Sequence, residues 1–317
     1  MNPRRRDAFL VILASVLWGT SFPGSKFVVD TVSPLFLTFA RLGVGALLGF
    51  AVLFALRTLD VSFLRDPWVW GLAAINAAAF DLQNSGIALT TASKTALLVN
   101  VNIVFIAILM ALVYKERLSP TKVGGIVVGL FGVVVLATKL NPATLSGGVF
   151  LGDLIVFASG VLWSFYVIGT KRMVDRGGDY IALTTCVLAA TSVLAAVPLA
   201  FIGGGLPGRA DSWLGIAYLG LVPTFTPLLL YTLSMRTISP TISAILVLLE
   251  VVVASVLSFL FLQDVLDAYT VTGGALILLG AYVVARVERA MPEPGAAGLA
   301  PVPSDSTPPS LDGPTHR

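Results

Sequence analysis

The chain says one thing twice. Trp18, Lys26 and Asp30 recur as Trp163, Lys171 and Asp175, and 163 − 18, 171 − 26 and 175 − 30 are each 145. A second echo aligns residues 98–104 with residues 246–252 at an offset of 148, which pairs Asn102 with Glu250. Carried on, that register pairs Glu116 with Asp264 and Leu118 with Leu266, and after one inserted residue Gly124-Gly125 falls on Gly273-Gly274. A duplicated apolar module is a common architecture of secondary transporters, with the solute site between the halves.

The surroundings of both copies fix the solvent. Hydrophobic residues make up 56% of the 317, charged residues 12%, and mean hydropathy is +0.93. A soluble domain carries roughly 25% charged residues. This chain cannot cover a water-facing surface and reads as an all-α membrane protein. Its sequence pI near 9.1 does not signal nucleic acid, because the basic residues stand at the ends of apolar runs.

A helix crossing ~30 Å of hydrocarbon needs about 20 apolar residues. Ten runs qualify, near 8–28, 33–56, 67–89, 92–114, 119–138, 151–172, 179–202, 212–236, 239–262 and 267–287. Pro34, Pro67, Pro120 and Pro240 stand at first helical turns, where a missing N–H costs nothing. Pro23, Pro198, Pro223 and Pro227 fall inside runs and are expected to bend them. Ten spans split five and five, and five is odd, so the second half enters the membrane inverted. The expected organisation is a first repeat over 1–138, an external linker over 139–150, a second repeat over 151–287 and a Pro-rich, disordered cytoplasmic tail over 288–317.

Charge agrees with the inversion. With both termini cytoplasmic, Arg4, Arg5, Arg6, Arg57, Arg65, Lys115, Arg117, Lys122, Lys171, Arg172, Arg176, Arg236, Arg286 and Arg289 lie inside, against Lys139 and Arg209 outside. Lys and Arg hold the cytoplasmic side, so the expected location is the cell (inner) membrane, crossed many times.

Catalysis finds few reagents. The only histidine is His316, in the tail, and the only cysteine is Cys186. That removes His-based catalysis, His–carboxylate zinc sites and His proton relays from the membrane domain, and no Walker-type phosphate loop occurs. The chain reads as neither an enzyme nor a metal or cofactor carrier. Its expected partners are the lipid bilayer, a small-molecule solute and, where transport is proton-driven, protons.

Charged groups at bilayer depth cost at least ~2.5 kcal/mol each by insertion scales, so they mark places that face protein or water. Glu250 and its mate Asn102 fall near the middle of the ninth and fourth runs and should face each other across the centre. A carboxyl there can hold a proton in one state and release it in another, which makes Glu250 the proton-coupling candidate; a protonated structural glutamate is the alternative. Arg41 and Asp81 lie at similar depth in the second and third runs, and a structural ion pair is favoured over a role in solute binding. Asn76, Phe80 and Gln83 share one face of the third run, with Tyr231 the mate of Gln83. Trp18 and Phe22 share a face of the first run, and Trp163 takes the place of Trp18 in the sixth. With Asn102 and Glu250 these form a mixed aromatic and polar lining suited to an amphipathic organic solute. Lys26, Lys94 and Lys171 near span ends read as snorkelling side chains. The clustered glycines at 124, 125, 129, 132, 273, 274 and 280 read as close helix contacts.

The ordered set resembles the EamA-type drug/metabolite transporters over about residues 8–287. It comprises ten helices in two inverted halves, a Trp-Gly or Trp-Ser start in each half (Trp18-Gly19, Trp163-Ser164), and an acidic residue before Leu after the fourth span (Glu116-Arg117-Leu118, weaker as Asp264-Val265-Leu266). The resemblance implies export, or occasionally uptake, of amino acids, other metabolites or drugs by alternating access. Members usually carry a Glu-Pro step at the centre of the fourth span. Here the positions read Asn102-Ile103 and Glu250-Val251, so no proline predicts a helix break. The rival readings are a nucleotide-sugar exchanger, which needs several deep basic residues where only Arg41 qualifies, and a non-transporting scaffold or channel subunit.

Overall fold

The structure is a computed structural model that describes residues 3–114, 119–238 and 240–289. The acidic-Leu step at Glu116-Arg117-Leu118 and the expected tail beyond residue 289 lie outside the described residues. Every regular element described is helical. The first half comprises α1 (Pro3–Val29), α2 (Pro34–Ala55), α3 (Pro67–Leu89), α4 (Ala92–Val99), α5 (Asn102–Tyr114) and α6 (Pro120–Thr138). The second comprises α7 (Gly148–Asp175), α8 (Tyr180–Ile202), α9 (Ala210–Gly220), α10 (Thr226–Ser234), α11 (Pro240–Val247), α12 (Leu249–Leu262) and α13 (Ala268–Arg289).

Helix starts follow local chemistry. Ser33, Asp66 and Ser119 each cap a helix whose first turn holds Pro34, Pro67 or Pro120, accepting from the backbone N–H of Phe36, Trp68 and Lys122. The side-chain oxygen replaces a missing helical acceptor, and proline gives up only a donor that was already orphaned. Pro23 and Pro198 are carried inside α1 and α8, which continue past them as single helices. Pro223 is different: it has non-helical dihedrals (φ −93°, ψ 15°) inside the widened π turn Leu221–Phe225 that separates α9 from α10.

All ten expected runs are helical, but fewer cross on their own measure. Among the described residues, seven helical stretches are long and apolar enough to span a bilayer: α1, α2, α4 with α5, α6, α7, α8, and α9 with α10. α12 and part of α13 are shorter apolar helices. α3 carries Asn76, Asp81, Gln83 and Asn84 and is not among the seven.

The halves interlock with twofold logic. α1 packs on α12 and α11, and its counterpart α7 packs on α4 and α5. α3 packs on α7, and α10 with α9 packs on α1. α2 and α8 pair with each other, as do α6 and α13. The α6–α13 seam is the most extensive helix contact, and glycine makes it. A Cβ on Gly280 would stand 2.5 Å from both the Gly125 carbonyl oxygen and the Gly129 nitrogen, and one on Gly132 would stand 2.7 Å from the Gly273 carbonyl oxygen. Gly274 lies against Leu97 instead, and Gly124 faces open space.

Three lysines expected to snorkel have protein partners. Lys26 Nζ donates to the Ile87 and Ala88 carbonyls at 3.1 and 3.2 Å, closing the end of α3. Lys94, 6% exposed, forms a 2.7 Å ion pair with Asp153, whose other oxygen accepts from Thr90. Lys171 pairs with Asp175 one turn on. For Lys26 and Lys94 the sequence hides the partner, because the acceptor is backbone or a side chain of another helix; for Lys171 it lies four residues on in the same helix.

The seam sets a prediction. Gly280→Ala should destabilise the detergent-solubilised protein by about 1–3 kcal/mol, because backbone cannot yield to the new methyl. Gly124→Ala should be neutral or gain up to ~1 kcal/mol from helix propensity. Paired thermal denaturation curves read both; equal effects would dissolve the seam as a close contact.

Candidate functional site

The helical stretches α4–α5 and α11–α12 each break, and they break at matched positions. α4 ends at Val99 and α5 begins at Asn102; α11 ends at Val247 and α12 begins at Leu249. Asn100 and Leu248 in the two gaps are related by the 148 offset. No proline causes this. The first helix of the opposite half lies against each break instead. Ser15 of α1 donates to the Leu246 carbonyl at 3.1 Å. At its repeat mate Gly160 of α7, a Cβ would meet the Val99 and Leu98 carbonyl oxygens at 2.8 and 3.2 Å. A helix can open inside a membrane protein where neighbours cover the freed groups.

The breaks bring Glu250 into the first turn of α12 and Asn102 to the start of α5. Both line one cavity between the halves. The direct partner of Glu250 is Asn100, not its mate Asn102. Asn100 Nδ2 donates to Glu250 Oε1 at 2.7 Å and to the Ala96 carbonyl at 2.8 Å. The Oδ1 atoms of Asn100 and Asn102 are buried without a hydrogen-bond partner.

The cavity wall is built from repeat mates. At offset 145 the lining contains Trp18 with Trp163, Ser21 with Tyr166 and Phe22 with Val167. At offset 148 it contains Phe80 with Leu228, Gln83 with Tyr231, Val99 with Val247 and Asn102 with Glu250. Only Arg41 and Ile106 of the lining fall outside these pairs. The cavity therefore sits where the two halves mirror each other. Its rings meet edge to face: Trp18 on Tyr231 at 5.3 Å, and Trp163 on Phe80 at 5.0 Å and on Tyr166 at 5.4 Å. Trp163 Nε1 donates to Gln83 Oε1 at 3.0 Å, and the Ser243 hydroxyl meets the Tyr231 hydroxyl at 3.1 Å.

Of the residues named from sequence, Trp18, Phe22, Phe80, Gln83, Asn102, Trp163, Tyr231 and Glu250 line this one cavity. Asn76 does not. It is fully buried, donates from Nδ2 to Thr191 Oγ1 of α8 at 3.2 Å, and is absent from the lining. It shares a helix face with Phe80 and Gln83 but lies a turn nearer the start of α3, where α8 covers it. Ser21 and Tyr166 were missed, although the offset already tied them to each other.

The Arg41–Asp81 ion pair does not form. Arg41 is fully buried and points toward α1 and the π turn. Its Nε and Nη2 donate to Thr224 Oγ1 at 3.1 and 3.0 Å, Nη1 to Ser25 at 3.0 Å, and Nη2 to Ser21 at 3.0 Å. Its guanidinium carbon lies 4.8 Å from the centre of the Phe80 ring. Asp81 is half-buried on α3, with Oδ1 unpartnered. The pairing was expected from depth counted along the sequence, and depth leaves rotation about the helix axis unspecified. Pro223 explains the acceptor. Proline lacks the N–H that would reach the Leu219 carbonyl four residues back, and Thr224 Oγ1 donates there at 2.6 Å. With its proton so committed, the Thr224 oxygen offers lone pairs to Arg41.

No group of three or more His, Cys, Asp or Glu side chains arranged to hold a metal occurs among the described residues. The cavity offers edge-to-face rings, amides, hydroxyls, one guanidinium and one carboxyl.

The Asn100–Glu250 bond is open to a double-mutant cycle. Asn100→Ala and Glu250→Ala share one interaction, so their stability effects should miss additivity by roughly 0.5–3 kcal/mol. Reversible unfolding in mixed micelles measures it; additivity would mean the two side chains do not touch.

Known proteins place this site in a family. The EamA-like transporter family matches residues 6–138 and again residues 150–286. The uncharacterized transporter YdfC of Bacillus subtilis is 28% identical over 269 residues, covering 83% of this chain and 86% of that protein. The probable terminal-alkyne amino-acid exporter of Streptantibioticus cattleyicolor is 24% identical over 285 residues, covering 89% of this chain and 94% of the relative. A protein crystal structure shares the fold with a TM-score of 0.66 at 23% identity, over 89% of this chain and 98% of that one. Two successive family matches, one on each interlocked half, cover most of the sequence, and the chain belongs to the EamA-like transporter family of multi-pass membrane proteins.

Proposed function

We propose that this protein is a secondary active transporter that exports small amphipathic organic solutes, such as amino acids or drugs, by alternating access. The solute lies in the cavity between the repeats. The observation that carries the reading is the lining itself, in which seven pairs of repeat mates face one space. A site placed on the pseudo-twofold is reached equally from either side when the halves exchange conformations. Its rings and amides suit a solute with an apolar body and a polar end. The name of the Streptantibioticus relative, an amino-acid exporter, agrees with that class.

Two rival readings fare worse. A nucleotide-sugar exchanger must hold phosphate charges, and Arg41 is the only cation in the lining. A scaffold or channel subunit has no use for a cavity assembled from matched half-sites. In proteoliposomes the full chain should give saturable flux of at least one radiolabelled amino acid or amphipathic drug, accelerated by unlabelled solute on the opposite side. Linear flux without that acceleration would mean a channel, and no flux a scaffold.

In this reading the protein lies in the cell membrane with ten spans and both termini cytoplasmic. With Cys186 replaced by serine, single cysteines at Asn141 and Gly208 should react with an impermeant maleimide in intact cells, and one at Thr58 should not. Reversed labelling would overturn the orientation.

Glu250 is the carboxyl that lines the cavity, and it is the proton-coupling residue of this reading. Protonated, it is neutral and tolerates the apolar wall; ionised, it can answer the arrival of solute. Glu250→Gln keeps size and hydrogen bonding but cannot titrate. It should abolish accumulation driven by a pH gradient while sparing solute exchange at equal pH. Full gradient-driven accumulation by Glu250→Gln would remove the coupling role.

A further inference from the structure

We infer that Arg41 is the docking point for a single carboxylate on the transported solute, and so the residue that selects monocarboxylates with an apolar or aromatic body. The inference rests on the reading that the cavity holds the solute. It starts from a cation without an anion. Arg41 is fully buried, lines the cavity, and has no Asp or Glu within ion-pair distance among the described residues. Its polar partners are three neutral hydroxyls. They orient the guanidinium without neutralising it, and a buried charge left without its opposite is costly. An anion brought by the solute answers that cost.

The surroundings are arranged to receive one. Thr224 is fixed by its bond to the Leu219 carbonyl, and it holds the Nε–Nη2 edge of the guanidinium. Ser25 takes one Nη1 proton and Ser21 one Nη2 proton. A guanidinium has five N–H donors; four are used here, and one on Nη1 has no protein acceptor among the described residues. Ser21 also lines the cavity, and its hydroxyl, which accepts from Arg41, has no acceptor for its own proton among the described residues. A carboxylate can take both protons, one on each oxygen, in charge-assisted hydrogen bonds. Phe80, on which the guanidinium lies, and Trp163, which meets Phe80 edge to face, then offer their rings to the solute body.

Charge selects carboxylate over phosphate. The lining carries one cation, and its only other ionisable acid or base besides tyrosine is Glu250, which adds no positive charge. One positive charge balances one carboxylate and leaves a phosphate dianion half compensated. Symmetry points the same way. The lining is otherwise built almost entirely from repeat mates, and Arg41 stands outside that set. It is not required by the duplicated architecture.

The test uses purified full-length protein in detergent and two matched pairs of ligands: 3-phenylpropionate with 3-phenylpropanamide, and L-phenylalanine with L-phenylalaninamide. Binding is read by calorimetry. Wild-type protein should bind each acid about tenfold or more tighter than its amide, the ratio expected for one charge-assisted contact. Arg41→Gln should bring both ratios to about one, Arg41→Lys should keep part of the preference, and Ser21→Ala should lower it several-fold. Equal binding of acid and amide by the wild type overturns the inference while leaving transport intact. So does an Arg41→Gln protein that keeps the preference, or tighter binding of phenyl phosphate than of 3-phenylpropionate. Should Arg41→Gln fail to fold, the wild-type ligand series and Ser21→Ala decide alone. If no ligand binds a folded wild type, the solute cavity itself is wrong and the inference falls with it.

Discussion

Backbone groups surrounded by hydrocarbon have no water to turn to, so a membrane helix can open only where protein covers what it exposes. The polar centre of this protein depends on that constraint. The two broken fourth spans place Glu250 and Asn102 at helix starts, and the breaks survive because α1 and α7 lie against the carbonyls beside them. On one side the Ser15 hydroxyl, bonded at 2.7 Å to the Val11 carbonyl of its own helix, also reaches the Leu246 carbonyl at 3.1 Å. On the other, the absence of a side chain at Gly160 permits close approach, and the Leu98 carbonyl accepts from the Val101 N–H at 3.2 Å. The third opening, at Pro223, is repaired within its own span by Thr224, and the repair creates the acceptor that holds Arg41. Local interruptions of helix are therefore the source of the site.

Reading the sequence by offset succeeded where the answer depends on symmetry. Trp18 with Trp163, Gln83 with Tyr231, and Asn102 with Glu250 needed only the repeat register to be placed in one cavity. The same register held Ser21 and Tyr166, which became visible only when the lining was. It failed where the answer depends on rotation of one helix against another. Arg41 and Asp81 were matched by depth counted along the sequence, yet Arg41 turns toward hydroxyls on α1 and the π turn. Asn76 shares a face with Phe80, yet α8 covers its end of α3 first. Depth can be counted along a sequence; azimuth is set by packing that a lone sequence does not display.

The helix breaks illustrate a second limit. Proline is the visible sign of an interruption, and its absence at Ile103 and Val251 argued for unbroken spans. What opens these helices is not a covalent defect but the fit of a neighbour, with small residues at 15 and 160 admitting close approach. That information is spread over two helices distant in sequence. Conversely, Pro23 and Pro198 carry the sign, and their helices run on through them.

A duplicated architecture gives a cavity equal halves, and a transporter needs its solute to bind one way round. The departures from equality are therefore where chemistry enters. Asn102 and Glu250 occupy equivalent positions, but Glu250 is one methylene longer and only it can exchange a proton. Arg41 has no counterpart in the lining at all. Aromatic mates such as Trp18 and Trp163 present similar walls to either end of a solute and cannot orient it. In the proposed reading Arg41 and Glu250, the two groups of the lining able to carry opposite charges and not duplicated by the repeat, orient the solute. The repeat register builds the space between the halves, and the departures from it make the two ends of that space unlike.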